Sequence, residues 1–166
     1  MYIFFPQLLN SERCDLLNKV ALEYFETNRM NLEKDGWMYD NSYGFGSIPE
    51  YEQLLDELTP LIKEKTGFEN IKRENSYTRI YFNGATLKPH VDREGLDITL
   101  SICTYSDINK NWPLYVEVAP NDVQPFETHV GDGALILGTK MKHWRDDLVC
   151  DVNKKVIQSF YHWRIV

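Results

Sequence analysis

SYTRIYFNGATLKPHVD, residues 76–92, is where the chain changes character. Upstream of it apolar residues recur at helical spacing. From Ser76 onward short runs rich in Thr, Val, Ile, Tyr and Phe alternate with turn residues, which is the pattern of strands. Within the stretch Asn83-Gly84 divides a run from Tyr77 to Phe82 from a run from Leu87 to Val91. His90 and Asp92 lie two apart on the second run, and residues two apart on a strand point to one face. An imidazole and a carboxylate are thereby aimed at one point.

Working outward, further runs follow: Asp97 to Tyr105, Leu114 to Val118, Phe126 to Val130, Ala134 to Leu137, His143 to Val149 and Lys155 to Ile165. Asp107, Pro120-Asn121, Gly131-Asp132-Gly133 and residues 151–153 punctuate them. Upstream, Asn10 and Ser11 offer N-cap side chains to a helix whose apolar positions are Leu16, Leu17, Val20, Ala21, Tyr24 and Phe25. A second helix is expected from about Glu50 to Lys65, carried by Tyr51, Leu54, Leu55, Leu58, Leu61 and Ile62, bent by Pro60 and closed by Gly67. Residues 35–49 lack a clean period and read as an aromatic loop, while Met1 to Phe5 reads as a first strand. The expected fold is mostly β with N-terminal helices: a double-stranded β-helix, the jelly roll of the cupins, buttressed by two α-helices. It is expected as one domain over 1–166, with 1–75 as helical buttress and aromatic loop and 76–166 as jelly-roll core.

Composition limits the function classes. With 25 acidic and 18 basic residues the net charge is −7, the wrong sign for a protein that grips nucleic-acid backbones along an extended surface. Cys14, Cys103 and Cys150 are odd in number and widely spaced, which fits neither a disulfide framework nor a structural zinc site and points to the reducing cytoplasm. The apolar start, cut by Pro6 and without a basic flank, is too short to span a bilayer or serve as a signal core.

Two neighbouring ligands on a strand become a facial triad for non-haem Fe(II) when a distant strand adds a histidine. His143 is the best placed, because it follows the Gly131-Asp132-Gly133 turn and the run Ala134 to Leu137 that carries the chain across the sheet. His129 reads as solvated, and His162 as a core or supporting residue. A dicarboxylate bound to such a metal would leave its far carboxylate inside the barrel, where it needs a cation. Arg145, two beyond His143 and so on the same face, and Lys155, opening the last strand, both qualify.

Tyr81-Phe82-Asn83-Gly84 followed by Leu87-Lys88-Pro89-His90-Val91-Asp92 resembles the tyrosine, turn and HxD segment of the prolyl 4-hydroxylase-like 2-oxoglutarate oxygenases. The segment Gly131 to Leu137, then His143-Trp144-Arg145 and Gln158-Ser159-Phe160-Tyr161-His162-Trp163, is similar to a bacterial and viral branch with an HWR motif. The likeness covers Tyr77 to Trp163. It implies Fe(II) on His90, Asp92 and His143, with 2-oxoglutarate and O2 as cosubstrates and ascorbate as a stimulant. It implies hydroxylation of an unactivated C–H bond in a peptidyl (prolyl) or small-molecule substrate, with succinate and CO2 as co-products, in the cytoplasm of a bacterium or of a virus's host. By the same likeness Tyr81 lines the pocket and Thr104 contacts the cosubstrate. In the prolyl hydroxylases the basic residue opens the last strand, which maps to Lys155, whereas in the HWR branch the adjacent Arg145 is the more economical choice. Asn83, Trp112, Tyr39, Tyr43 and Phe45 are candidates for the substrate mouth. The competing class is a cupin-like metal- or small-molecule-binding module without oxygenase activity.

Overall fold

The computed structural model describes residues 1–28 and 41–166. The first element, β1 (Tyr2–Phe5), is the strand expected of the apolar start. Asn10 caps α1 (Ser11–Asn28), its Oδ1 accepting the Arg13 N–H at 2.8 Å. β2 (Ser42–Gly46) precedes α2 (Pro49–Thr66). Pro49 stands in the first turn of α2, where the missing N–H has no intrahelical partner to lose. Glu50 and Glu52 at the start and Lys63 and Lys65 at the end complement the helix dipole. Gly67 closes the helix at φ 72°, donating its N–H to the Lys63 carbonyl at 2.9 Å, and Pro60 stays inside the helix.

The strands β3 (Ile71–Phe82), β4 (Leu87–His90), β5 (Ile98–Ser106), β6 (Leu114–Ala119), β7 (Asp122–Phe126), β8 (Gly133–Ile136), β9 (His143–Arg145) and β10 (Lys155–Ile165) complete the chain. They form a six-stranded sheet, β1-β8-β5-β10-β3-β2, and a four-stranded sheet, β4-β9-β6-β7, antiparallel throughout. This is the two-sheet jelly roll with a helical buttress, and the six-stranded sheet also draws β1, β2 and the start of β3 from the first 75 residues. β2 lies within the stretch expected to be loop; residues 35–40 of that stretch, with Tyr39, fall outside the described residues. Its sequence SYGFG hides the strand because two glycines make room for Tyr77 of β3: a Cβ at Gly44 would overlap the Tyr77 ring, and one at Gly46 would sit 3.1 Å from it. The run expected from Phe126 to Val130 instead ends at Phe126, and β7 tolerates Pro125 because it is an edge strand.

Alternation assigns each strand of the large sheet two faces. Ile98, Leu100 and Ile102 of β5, Ile157, Tyr161 and Trp163 of β10, and Ile80 of β3 face the helices and share a core with Leu17, Ala21, Phe25, Tyr51, Leu55 and Ile62. Polar ties fix the layers: Tyr51 Oη donates to the Leu17 carbonyl at 2.8 Å, Asn18 Nδ2 to the Thr104 carbonyl at 2.6 Å, and Trp163 Nε1 to Thr59 Oγ1 at 2.8 Å. The face of α1 differs slightly from expectation, since Leu16 and Tyr24 are exposed while Cys14 and Asn18 take their places inside. Leu55→Ala, at a position with no exposed surface, is therefore expected to cost about 2–5 kcal/mol, whereas Leu16→Ala should stay within about 0.5 kcal/mol of the parent in urea denaturation.

Candidate metal centre

The other face of the large sheet looks at the small one, and its side chains are of a different kind. Thr99 and Ser101 of β5, Gln158, Phe160 and His162 of β10, and Asn75, Tyr77, Arg79 and Tyr81 of β3 point between the sheets. Leu87 of β4, His143 and Arg145 of β9, and Leu114 of β6 oppose them. Between the sheets lies a cavity of about 380 Å³ whose lining includes His90, Asp92, His143, Thr99, Arg79 and His162.

His90 and His143 are register partners on β4 and β9, and Asp92 follows two residues after the first. Asp92 Oδ1 stands 3.6 Å from His90 Nε2 and 3.6 Å from His143 Nε2, with the two rings 4.3 Å apart. One ligand atom from each residue lies within 4.8 Å of the others. The tautomers follow from the neighbours: His90 Nδ1 is 2.8 Å from the Lys88 carbonyl and His143 Nδ1 is 2.9 Å from the Met141 carbonyl. A carbonyl only accepts, so each Nδ1 carries the hydrogen and each Nε2 presents a lone pair toward the Asp92 oxygen. Two neutral imidazoles and one carboxylate converging through such atoms are a donor set for a divalent transition metal.

The electrostatics agree. Burial penalises the Asp92 carboxylate, but the neighbouring His90 and His143 and the Thr99 hydroxyl outweigh it and hold its pKa below the usual value. Burial also works against charge on His90, where contact with Asp92 prevails and raises the pKa. On the more deeply buried His143 burial prevails and lowers it. Thr99 Oγ1 donates to Asp92 Oδ2 at 2.6 Å.

Arg145 reaches the interior as its parity predicts. It is 1% exposed, with its guanidinium 4.9 Å from the centre of the Trp112 ring and Nη1 donating to the Trp112 carbonyl at 2.5 Å. Nε and Nη2 have no hydrogen-bond partner among the described residues, and neither does the hydroxyl of fully buried Tyr81. Burial lowers the pKa of Arg145 and raises that of Tyr81, and each group's charge acts on the other. Neither lines the metal cavity as it stands, although Leu87, the register partner of Arg145, does.

Lys155 and Thr104 do not line this cavity. On β10 the residues facing inward are Val156, Gln158, Phe160 and His162, so Lys155 projects to the helix side. There it lies 4.0 Å from Asp107 Oδ2, over the Tyr105 ring, and beside Phe25, Tyr43 and Phe82. Thr104 shares the face of Ile98, Leu100 and Ile102; its carbonyl accepts from Asn18 and its hydroxyl donates to the Ile157 carbonyl at 3.4 Å. The inward position next to it is Cys103, packed against Tyr81 and Trp112. Of the residues expected at a substrate mouth, Trp112 packs on Arg145 and Tyr81, Asn83 holds the Cys150 N–H, and Tyr43 and Phe45 join the helix-side core. Thr99, Ser101, Arg79 and Gly138 were not anticipated. The alternation of Ile98-Thr99-Leu100-Ser101-Ile102 carried the signal, since a strand with apolar helix contacts on one face and hydroxyls on the other borders a polar cavity.

No family model matches the chain, and no curated protein matches it. Solved structures do. A prolyl-4-hydroxylase from Pseudomonas putida superposes with a TM-score of 0.70 at 14% identity, over 98% of this chain and 92% of the other. The viral collagen prolyl hydroxylase of Paramecium bursaria Chlorella virus-1, in its 2-oxoglutarate complex, gives 0.70 at 14% identity over 99% and 96%. An oxidoreductase of the 2OG-Fe(II) oxygenase family from Burkholderia pseudomallei gives 0.75 at 9% identity over 99% and 84%. The chain thus has the fold of the prolyl hydroxylases and related 2OG-Fe(II) oxygenases, with a His-Asp-His cluster between its sheets.

Proposed function

We propose that the protein is an Fe(II)- and 2-oxoglutarate-dependent dioxygenase that hydroxylates an unactivated C–H bond of a peptidyl or small-molecule substrate. The observation that carries this reading is the pairing, on one face of β9, of a metal ligand with an unsatisfied buried cation. His143 belongs to a three-residue donor set, and Arg145 offers two unused donor atoms.

Two residues along an extended strand are roughly 6.6 Å apart, a distance a five-carbon dicarboxylate can bridge between metal and guanidinium. His90 and His143 through Nε2 and Asp92 through Oδ1 would hold the ion. Arg145, with Nε and Nη2 unpartnered, would receive the far carboxylate as a charge-assisted fork, which would remove the cost of leaving it unpaired. Leu87, Leu114, Ala134 and Ile136 line the cavity with hydrocarbon and limit the water that reaches it. When bound, iron with 2-oxoglutarate and O2 supplies the oxidation, with succinate and CO2 as co-products and ascorbate as an expected stimulant. Tyr77, Phe160 and His162, on the cavity wall, are placed to meet the substrate. Cys14, Cys103 and Cys150 are free thiols, which suits the reducing cytoplasm, and no helix among the described residues is long and apolar enough to cross a membrane.

Anaerobic protein with Fe(II) and 2-oxoglutarate is expected to develop a weak visible charge-transfer band that is lost in His90→Ala and in Asp92→Ala. Metal uptake without any such response to 2-oxoglutarate would favour the cupin-like binding module instead. Arg145→Leu should weaken 2-oxoglutarate binding by at least about 30-fold in calorimetric titration, the size expected when one side of a buried charge pair is removed. Lys155→Leu should bind it as the parent does; the reverse outcome would move the anchor to the last strand. Succinate release, screened against proline-containing peptides and small metabolites, identifies the substrate.

A further inference from the structure

We infer that Gly138 and Thr99 are positioning residues that set the Asp92 carboxylate so that Oδ1 faces the metal while Oδ2 is withheld from it. This rests on the metal-centre reading above. Gly138 follows β8, in the connection to β9. Its φ is not in the left-handed region, so backbone freedom does not explain a glycine there. Space does. A Cβ at this position would overlap Asp92 Oδ2 and would stand 2.6 Å from Thr99 Oγ1 and 2.7 Å from the Leu96 carbonyl oxygen. Two of these obstacles are the carboxylate oxygen and the hydroxyl that binds it, and the third is backbone, which cannot step aside cheaply.

The contacts around this point form a clasp. The Asp92 N–H donates to the Gly138 carbonyl at 2.8 Å, and the Gly138 N–H donates to the Asp97 carbonyl at 3.1 Å. Asp97 is itself held, its carboxylate accepting from Thr139 Oγ1 at 3.2 Å and from the Ile165 N–H at 3.0 Å. The same connection supplies the Met141 carbonyl that orients His143. With Oδ2 engaged by Thr99 at 2.6 Å, Oδ1 is left as the oxygen equidistant from both Nε2 atoms. The chemical consequence is coordination number. A carboxylate that binds through one oxygen leaves three positions of an octahedral ion for a chelating cosubstrate and O2, whereas one that binds through both occupies one of them.

The test uses Co(II) as a spectroscopic probe of the full chain, with metal affinity, the visible d–d spectrum and the melting temperature of the metal-free protein as readouts. Gly138→Ala and Thr99→Val are each expected to weaken Co(II) binding by about 10–100-fold and to alter the d–d bands; metal-free melting should stay close to the parent in Thr99→Val and fall in Gly138→Ala, whose Cβ also meets the Leu96 carbonyl. Thr99→Ser, which restores the hydroxyl, should recover the parent's affinity and spectrum. Parent-like affinity and spectrum in both Gly138→Ala and Thr99→Val, or equal losses in Thr99→Val and Thr99→Ser, would overturn the assignment. If Gly138→Ala does not fold, the Thr99 pair decides alone. Absence of Co(II) binding by the unsubstituted protein would instead overturn the metal-centre reading beneath it.

Discussion

Two helices laid over one face of a six-stranded sheet decide what the other face can be. A sheet in water must bury at least one face in hydrocarbon, and here α1 and α2 take that role against Ile80, Ile98, Leu100, Ile102, Ile157 and Trp163. With that face anchored, the opposite one need not supply the main core. It carries Thr99, Ser101, Gln158 and His162 toward a smaller sheet whose own hydrocarbon, Leu87, Leu114 and Val116, belongs to a separate cluster with Phe126 and Ile136. The candidate metal ligands occupy the seam between the sheets: His90 ends β4, Asp92 follows it, and His143 begins β9. Their geometry is thus set by strand ends and by the 137–142 connection that clasps Asp92 and His143, while the stability of the fold is concentrated on the far side of the large sheet.

That division explains what the sequence disclosed. His143 and Arg145 obey the two-residue alternation of β9, so their common face followed from spacing. His90 and Asp92 also converge, although β4 ends at His90 and Asp92 lies in the connection after it. Both helices followed from period and caps. The facing of Lys155 and of Thr104 was less legible. β10 has Lys155, Ser159 and Tyr161 on its helix face and Val156 and Phe160 on its inner face, so polarity does not mark which side is inside. The shift in register between Ile157 and Gln158 further unsettles the pairing beside Thr104, and the inward place falls to Cys103. β2 escaped because its glycines serve the Tyr77 ring and leave no alternation to count. Gly138 was invisible for a deeper reason: its role depends on a side chain 46 positions earlier, on a residue brought to it only by the closed fold.

The energetics of Arg145 connect fold to function. A guanidinium taken wholly out of water loses solvation whose effective value, even after relaxation, is several kcal/mol. What surrounds it offsets only part of that. The Trp112 carbonyl contributes about 1.5–3 kcal/mol as a hydrogen bond to a charged group, and the Trp112 face about 0.5–2 kcal/mol. Asp146 and Asp147 follow it directly in sequence, yet neither is its ion-pair partner among the described residues. Hydrocarbon at this position would stabilise the apo fold, so the cation is a local conflict with folding of the kind that marks a ligand site. A carboxylate arriving at Nε and Nη2 resolves the conflict, and by linkage its binding energy adds to the stability of the folded chain. The triad and the unsatisfied fork therefore differ. Each histidine is held through Nδ1 by the Lys88 or Met141 carbonyl and Asp92 Oδ2 by Thr99, whereas Arg145 Nε and Nη2 have no partner among the described residues.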